Sequence, residues 1–333
     1  MSLLERFRSH IAGLGLHPGR AIAAVSGGPD SVALLDLLDR TADVHGLELV
    51  VAHVDHGIHP ESRRVAEEVR RLARSYGLPL EIGELKLGSS AGETLARSRR
   101  YAWLEGARAR VHAAIILTAH HADDQVETVL MRVLAGSGPA GLAGMAEKTG
   151  ALVRPLLPFR RTELTAYLEE RGLSAWLDPA NADPRHLRSW VRTQLVPLVR
   201  DRLPRAERNL ARLASQAAAD RAAWNAVLDA LPELDLRAGP GEISVAASVL
   251  ADYDSALIQA VVLALARRAG CRLGPTRTVR VLSLLHSGAS GARVPLGSSW
   301  IAELAFGRLY IHSAVSQPAH QPWTIEGARG SAV

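Results

Sequence analysis

Ala21-Ile22-Ala23-Ala24-Val25-Ser26-Gly27-Gly28-Pro29-Asp30-Ser31-Val32-Ala33-Leu34-Leu35 opens as an apolar run, turns on paired glycines, and re-enters an apolar pattern at helical spacing. It predicts a buried strand, a tight turn and a helix start. Paired glycines let the backbone approach a ligand closely. Their amides, with the unpaired first amides of the helix, form an electropositive concavity suited to pyrophosphate. Pro29 fits the first helical position, where a missing N–H costs nothing. A kinase or GTPase loop would need a Lys after its last Gly, and the only lysines, Lys86 and Lys148, lie far away in sequence. Asp30, beside the expected phosphates, can hold Mg²⁺. The bland alternative is a strand-to-helix turn in which Asp30 or Ser31 only caps.

Working outward, Leu47–Val54 reads as a second strand ending in His53-Val54-Asp55-His56-Gly57, and Leu80–Leu85 as a third. Ala113–Thr118 reads as a fourth, followed by Ala119-His120-His121-Ala122-Asp123-Asp124-Gln125-Val126-Glu127-Thr128. Helical patterns at Asp30–Val44, Glu61–Tyr76 and Thr94–Val111 alternate with these strands, which predicts a parallel sheet with right-handed crossovers. Ligands bind outside the carboxyl ends of such strands. Asp124 with Glu127 reads as a capping box, and Asp124 could also complete a Mg²⁺ site with Asp30. His120 and His121 lack the third ligand a zinc site would need. Arg97 and Arg100 share a helix face, either solvated or meeting phosphate. Gly136–Met145 reads as a lid or flexible loop, Arg154–Leu157 as a fifth short strand, and Thr162–Arg171 as a further helix.

Arg185, Arg188 and Arg192 form a stripe uninterrupted by acids. Leu195–Arg205, with Pro197 and Pro204, reads as a boundary between a domain at 1–200 and a smaller one at 201–315. Arg205–Leu231 is a long helix that repeats the stripe at Arg205, Arg208 and Arg212. Residues 316–333 are expected to be a flexible tail.

At 333 residues, about two domains are expected. No apolar run reaches the length that spans a bilayer, and the N-terminus lacks the order of a signal peptide, so a cytoplasmic protein without membrane association is expected. A single cysteine, Cys271, excludes an internal disulfide and any Cys-x-x-Cys site. The net charge of +5 and pI near 9.8 suit a polyanionic partner. Residues 201–333 carry 14 Arg against 11 acidic residues, so charge alone does not locate a binding face.

The Ser26–Ser31 loop resembles that of enzymes splitting ATP into AMP and pyrophosphate, a superfamily that includes GMP synthetase and tRNA-thiolating enzymes. Further elements are similar to bacterial tRNA(Ile)-lysidine synthases. They are His53-Val-Asp55-His56-Gly57, Ala96-Arg97-x-x-Arg100-Tyr101, His120-His121-x-Asp123-Asp124-Gln125-x-Glu127-Thr128, Gly136-Ser-Gly138 with Gly141-Leu142, Arg154-Pro155-Leu156-Leu157 and Asp178-x-x-Asn181. Where the family shows Arg-Asn-x-Ile-Arg, this chain has Arg188-Ser189-Trp190-Val191-Arg192, losing the Asn. The chain looks like the family's short form.

The resemblance implies an α/β, Rossmann-like parallel sheet flanked by helices (adenine nucleotide alpha-hydrolase-like), then a smaller, mostly helical α+β domain that binds tRNA. It implies ATP-dependent ligation of free L-lysine to the wobble cytidine of tRNA(Ile) with a CAU anticodon, with Mg²⁺ as cofactor. A homodimer is compatible with it. Implied catalytic residues are Asp30, Asp55, Asp124 and His120, with Asp55 assisting deprotonation of the lysine amine and Asp30 and Asp124 holding the metal. Ser26, Gly27, Gly28, Pro29, Asp30, Ser31 and His53 would bind ATP, and Arg97, Arg100, Arg188, Arg192, Arg205 and Arg208 the tRNA. Two other readings compete: a tRNA sulfur transferase on the same loop, which one cysteine does not equip, and a non-catalytic nucleotide sensor.

Overall fold

The computed structural model describes residues 1–313 except 56, 58–60, 86, 89–91, 177–186 and 298. His56, Asp178, Asn181, Asp183, Arg185 and the tail 316–333 lie outside the described residues. The chain divides into two compact units, Met1–Ala218 and Ala219–Val333.

The first unit runs α1 (Leu3–Gly13), β1 (Gly19–Ala24), α2 (Pro29–Asp39), α3 (Ala42–His45), β2 (Leu47–Asp55), α4 (Ser62–Ser75), β3 (Leu80–Glu84), α5 (Glu93–Arg110), β4 (Ile115–Leu117), α6 (Ala122–Leu134), β5 (Lys148–Thr149), β6 (Leu152–Val153), α7 (Arg161–Arg171), α8 (Leu187–Trp190), α9 (Val196–Arg202) and the start of α10 (Ala206–Ala230). Its sheet has the order β3-β2-β1-β4-β6-β5, parallel except for the β5–β6 pair. Alternation along β1 sorts the two faces. Ala21 and Ala23 pack with Phe7, Leu34, Leu38 and Leu164 from α1, α2 and α7. Ile22 packs on the other side with Leu104 and Ala107 of α5. With helices on both faces, the central stretches Ala21–Ala24 of β1 and Leu49–Ala52 of β2 are apolar throughout, as buried parallel strands require.

Two local readings are corrected. The helix expected over Asp30–Val44 stops at Asp39, where Thr41 bonds back to the Leu37 carbonyl (2.8 Å) and competes with helix continuation. Arg154 follows its strand rather than opening one, since the pairing with β4 ends at Val153. Within the expected boundary Leu195–Arg205, Val196–Arg202 is helical, and Val191–Leu195 before it forms one π-turn. Pro197 has no N–H to offer the Thr193 carbonyl, which explains the widened turn directly upstream.

One buried carboxylate ties this unit together. Asp36, fully buried on α2, accepts from Tyr167 of α7, from Tyr76 Oη (2.7 Å) just after α4, and from Arg171 Nε (3.2 Å). Burial alone would raise its pKa, but these donors hold it below the usual range. Burial and the Asp36 contact push Tyr167 up to about 12.

The second unit contains β7 (Arg237–Gly239), β8 (Glu242–Ala246), α11 (Ala247–Ala251), α12 (Ser255–Ala269), α13 (Pro275–Ser287), β9 (Ala292–Gly297), β10 (Trp300–Ala305) and β11 (Arg308–Ser313). Its sheet is antiparallel, in the order β7-β8-β11-β10-β9. Val261, Leu265 and Val281 from α12 and α13 pack on Ile243, Val245 and Ile311 of the strands in a separate core. The division between units falls inside α10, beyond the Pro197–Pro204 segment.

Candidate active site

In the sheet order, β1 has β2 on one side and β4 on the other, so the loops leaving β1 and β4 diverge at a topological switch point. The glycine turn occupies the β1 side. Gly27 has φ +88°, and a Cβ there would lie 2.8 Å from Val65 Cγ1, so both conformation and space demand glycine. Pro29 is the first residue of α2, and Gly28, its N-cap, provides no side-chain cap. The turn braces itself with serines: Ser31 Oγ donates to the Gly28 carbonyl (2.8 Å) and accepts from the Ser26 amide (3.2 Å). That leaves an N-terminus whose amides suit an anion.

His53, at the end of β2, is buried, and its Nδ1 donates to the Val25 carbonyl at 2.8 Å. Burial keeps this ring neutral by lowering its pKa. It anchors the base of the glycine turn. Asp55 accepts the Gly57 amide on Oδ1 (2.7 Å) in a side-chain turn at the same strand end.

Across the switch point stands His121, fully buried and the N-cap of α6. Its Nε2 lies 3.4 Å from Asp30 Oδ2 and 3.5 Å from Asp124 Oδ2, and its Nδ1 lies 3.5 Å from Asp123 Oδ2. Burial alone would lower the pKa of this ring, but Asp123, Asp30 and Asp124 together raise it to about 9. Two neighbours pull the other way: the Asp123 amide sits 3.2 Å from Nδ1 and Arg161 Nη2 3.2 Å from Nε2, and a neutral ring would accept one of them at whichever nitrogen lacks the proton. Three carboxylates in a buried setting outweigh them, so the ring is an imidazolium at neutral pH.

The capping box of α6 therefore differs from the one expected. Asp124 is its third residue and accepts the His121 amide on Oδ2 (3.1 Å), while Glu127 faces elsewhere. Glu127 accepts from Arg192 Nε (2.6 Å) and Arg188 Nε (2.9 Å), and Asp124 Oδ1 accepts from Arg192 Nη2 (3.0 Å) and Arg188 Nη2 (3.3 Å). Two buried carboxylates and two guanidinium groups thus satisfy one another, with the π-turn presenting Arg192.

His120 is different in character from its neighbour. Nδ1 lies 3.0 Å from Thr118 Oγ1 and Nε2 lies 3.4 Å from Arg97 Nη2. Burial first, and then Arg97, Arg154 and Arg100, lower its pKa to about 3, against the pull of Asp124. A neutral His120 can pass hydrogen bonds but holds no proton to donate as an acid at pH 7.

The glycine-rich segment Gly136–Met145 is tied to α6. Gln125 bridges the Met145 amide (2.7 Å) and carbonyl (2.9 Å), and Arg132 donates to the Gly141 and Gly144 carbonyls. Gly144, at φ +63°, would put a Cβ 2.4 Å from that Gln125 amide. Arg205, Arg208 and Arg212 are exposed and make no ion pair among the described residues.

The structure thus brings Asp30 and Asp124 together through His121, with His120 alongside, and sets Asp55 and His53 at the neighbouring strand end. The sequence reading missed His121 as the central cation. The signal was present in His121-Ala122-Asp123-Asp124, which places acids two and three residues beyond a helix-capping histidine.

A glycine turn from β1 to α2, opposed by a charged cluster after β4, defines a PP-loop domain, and the family model described by that name matches residues 4–199. A solved U34-tRNA thiolase from Methanococcus maripaludis shares the fold at TM-score 0.53 and 17% identity, covering 64% of this chain and 78% of that one. Among curated relatives, a tRNA(Ile)-lysidine synthase of Alkalilimnicola ehrlichii is 39% identical over 254 residues, covering 74% of this chain and 56% of its own length. One from Leifsonia xyli subsp. xyli is 35% identical over 276 residues, covering 81% and 83%. The chain belongs to the tRNA(Ile)-lysidine synthase family. It spans about half the length of the first several curated relatives it matches.

Proposed function

We propose that this chain ligates free L-lysine to the wobble cytidine of tRNA(Ile) bearing a CAU anticodon, consuming ATP. The observation that carries the reading is the meeting of Asp30 and Asp124 on His121 beside the uncapped start of α2. The cytidine carbonyl oxygen is a poor leaving group. Transfer of AMP onto that oxygen, with pyrophosphate departing, makes it a good one, and the lysine ε-amine then attacks the ring carbon and expels AMP. The glycine-turn amides and the His121 imidazolium stabilise charge developing on the departing pyrophosphate. The lysine amine, with an ordinary pKa near 10.4, must lose a proton, and Asp55 is the open carboxylate at the adjacent strand end to assist it.

Mg²⁺ suits the donor set at Asp30, which is half-buried and would share the ion with phosphate oxygens; Mg²⁺ there would neutralise phosphate charge. Asp124 suits it less, because its two oxygens already accept from Arg188, Arg192 and the His121 amide. The second unit and the exposed Arg205 and Arg208 would hold the tRNA, while Arg188 and Arg192 would reach phosphate only by releasing Asp124 and Glu127. The sulfur-transfer alternative needs a reactive thiol, and Cys271 is buried with its pKa pushed up by that burial.

The test is incubation of the chain with ATP, labelled lysine and total tRNA. The reading expects label in isoleucine tRNA, with AMP and pyrophosphate released. ATP turnover without lysine incorporation would refute it.

A further inference from the structure

Beside His120, three guanidinium groups converge on Tyr101. Arg97 Cζ lies 5.1 Å and Arg100 Cζ 5.4 Å from the Tyr101 ring centroid, and Arg97 Nη2 lies 3.4 Å from Tyr101 Oη. Arg154 reaches the same tyrosine from the loop after β6. Arg154 is only 8% exposed. Its Nη1 holds the Ala146 carbonyl at 2.6 Å, while its Nε is buried without a hydrogen-bond partner among the described residues.

Among the described residues, none of the three pairs with a carboxylate. This contrasts with Arg188 and Arg192, which the same crevice neutralises fully. Burial, and the charge of Arg97, disfavour the cationic forms of Arg100 and Arg154. His120, being neutral, adds no compensation. Clustered, desolvated like charges with an unused N–H are costly unless an anion completes them.

We propose that Arg97, Arg100 and Arg154, with Tyr101, form a phosphate-binding subsite at the carboxyl ends of β4 and β6. A phosphate group offers the negative charge and oxygen geometry that several guanidinium forks can share. The carboxylate of a free amino acid fits poorly, because its α-ammonium would enter a field of three cations. The subsite deepens the proposed function and rests on it for the source of the phosphate, either the nucleotide or the RNA backbone.

The experiment titrates the full chain with inorganic pyrophosphate by calorimetry, and with a CAU anticodon stem-loop RNA by fluorescence anisotropy across a salt series. Wild type, Arg100→Gln and Arg154→Gln are compared. The subsite expects at least about tenfold weaker binding of one probe in both variants. Loss on the pyrophosphate arm assigns the nucleotide; loss on the RNA arm, with the salt slope reduced by about one, assigns the RNA backbone. Arg154→Gln is read only if its melting temperature is retained, since Arg154 also holds a backbone carbonyl. Arg100→Gln holds no backbone group among the described residues and decides otherwise. Both probes binding Arg100→Gln within about twofold of wild type would overturn the subsite. If the wild type still incorporates lysine in that case, the proposed function stands without the subsite. Weakened variants alongside an inactive wild type would leave the subsite and remove the function.

Discussion

A histidine enclosed by three carboxylates makes the site sensitive to pH in one direction. The folded pKa of His121, about 9, stands above its unfolded value of 6.5, so its stabilisation is complete below 6.5 and lost as pH rises through 9. The difference corresponds to roughly 3 kcal/mol at most. Denaturant unfolding of wild type and His121→Asn across that range should show a stability gap that closes toward alkaline pH; a constant gap would mean the ring is neutral throughout. Asp30 supports a second expectation. It is half-buried on the first turn of α2, so Asp30→Ala should keep the fold but lower Mg²⁺-dependent ATP–pyrophosphate exchange by at least about 100-fold. Near-normal exchange would remove Asp30 from the reaction. The glycine turn and Asp30 were legible because their chemistry is local: neighbouring residues make the turn, the cap and the charge. His121 was not, because Asp124 and Glu127 satisfy the spacing of a capping box equally well, and only the fold shows that Glu127 is taken by arginines 61 and 65 residues away.

At the scale of elements, the helical run from Leu187 to Arg202, widened into a π-turn at Val191–Leu195, is held to α6 by paired charges rather than by apolar contact alone. Glu127 is 3% exposed in its side chain, so removing a partner leaves a charge stranded. Arg192→Met should cost about 3 kcal/mol in chemical denaturation, and Glu127→Gln added to it should restore part of that loss. Simple addition of the two costs would show that they do not act as a pair. The helical stripe of arginines was readable from sequence, but its partners were not, since spacing along one helix says nothing about the acids another helix presents. The first four strands fared better: apolar runs buried on both faces mark a parallel sheet wherever they fall, and only their ends shifted, whereas the fifth, expected at Arg154–Leu157, lies just upstream at Leu152–Val153.

At the scale of the molecule, chemistry and RNA recognition are expected to separate. The glycine turn, the His121 cluster and the Glu207 that binds Arg160 and Arg200 all fall in Met1–Ala218. A chain ending at Ala218 should therefore bind ATP yet modify isoleucine tRNA poorly, because one anticodon base gives too little surface to distinguish it from a methionine tRNA with the same anticodon. Undiminished, selective modification by the shortened chain would place recognition in the first unit. Reversing the charges of Arg205 and Arg208 together should weaken tRNA binding and lower its salt slope by about two. An unchanged slope would return both to plain surface.

The network around Asp36 has a consequence for how the first unit is made. Its carboxylate lies on α2, but the donors that justify its burial come from Tyr76, Tyr167 and Arg171. On a ribosome, α2 and the first strands emerge long before α7. Until Arg171 clears the exit tunnel, a nascent chain cannot sequester Asp36 without leaving a buried anion short of partners. The early β-α-β layer should then stay open and exchange its amide hydrogens freely, and protection should appear over α2 and α7 in a single step once α7 docks.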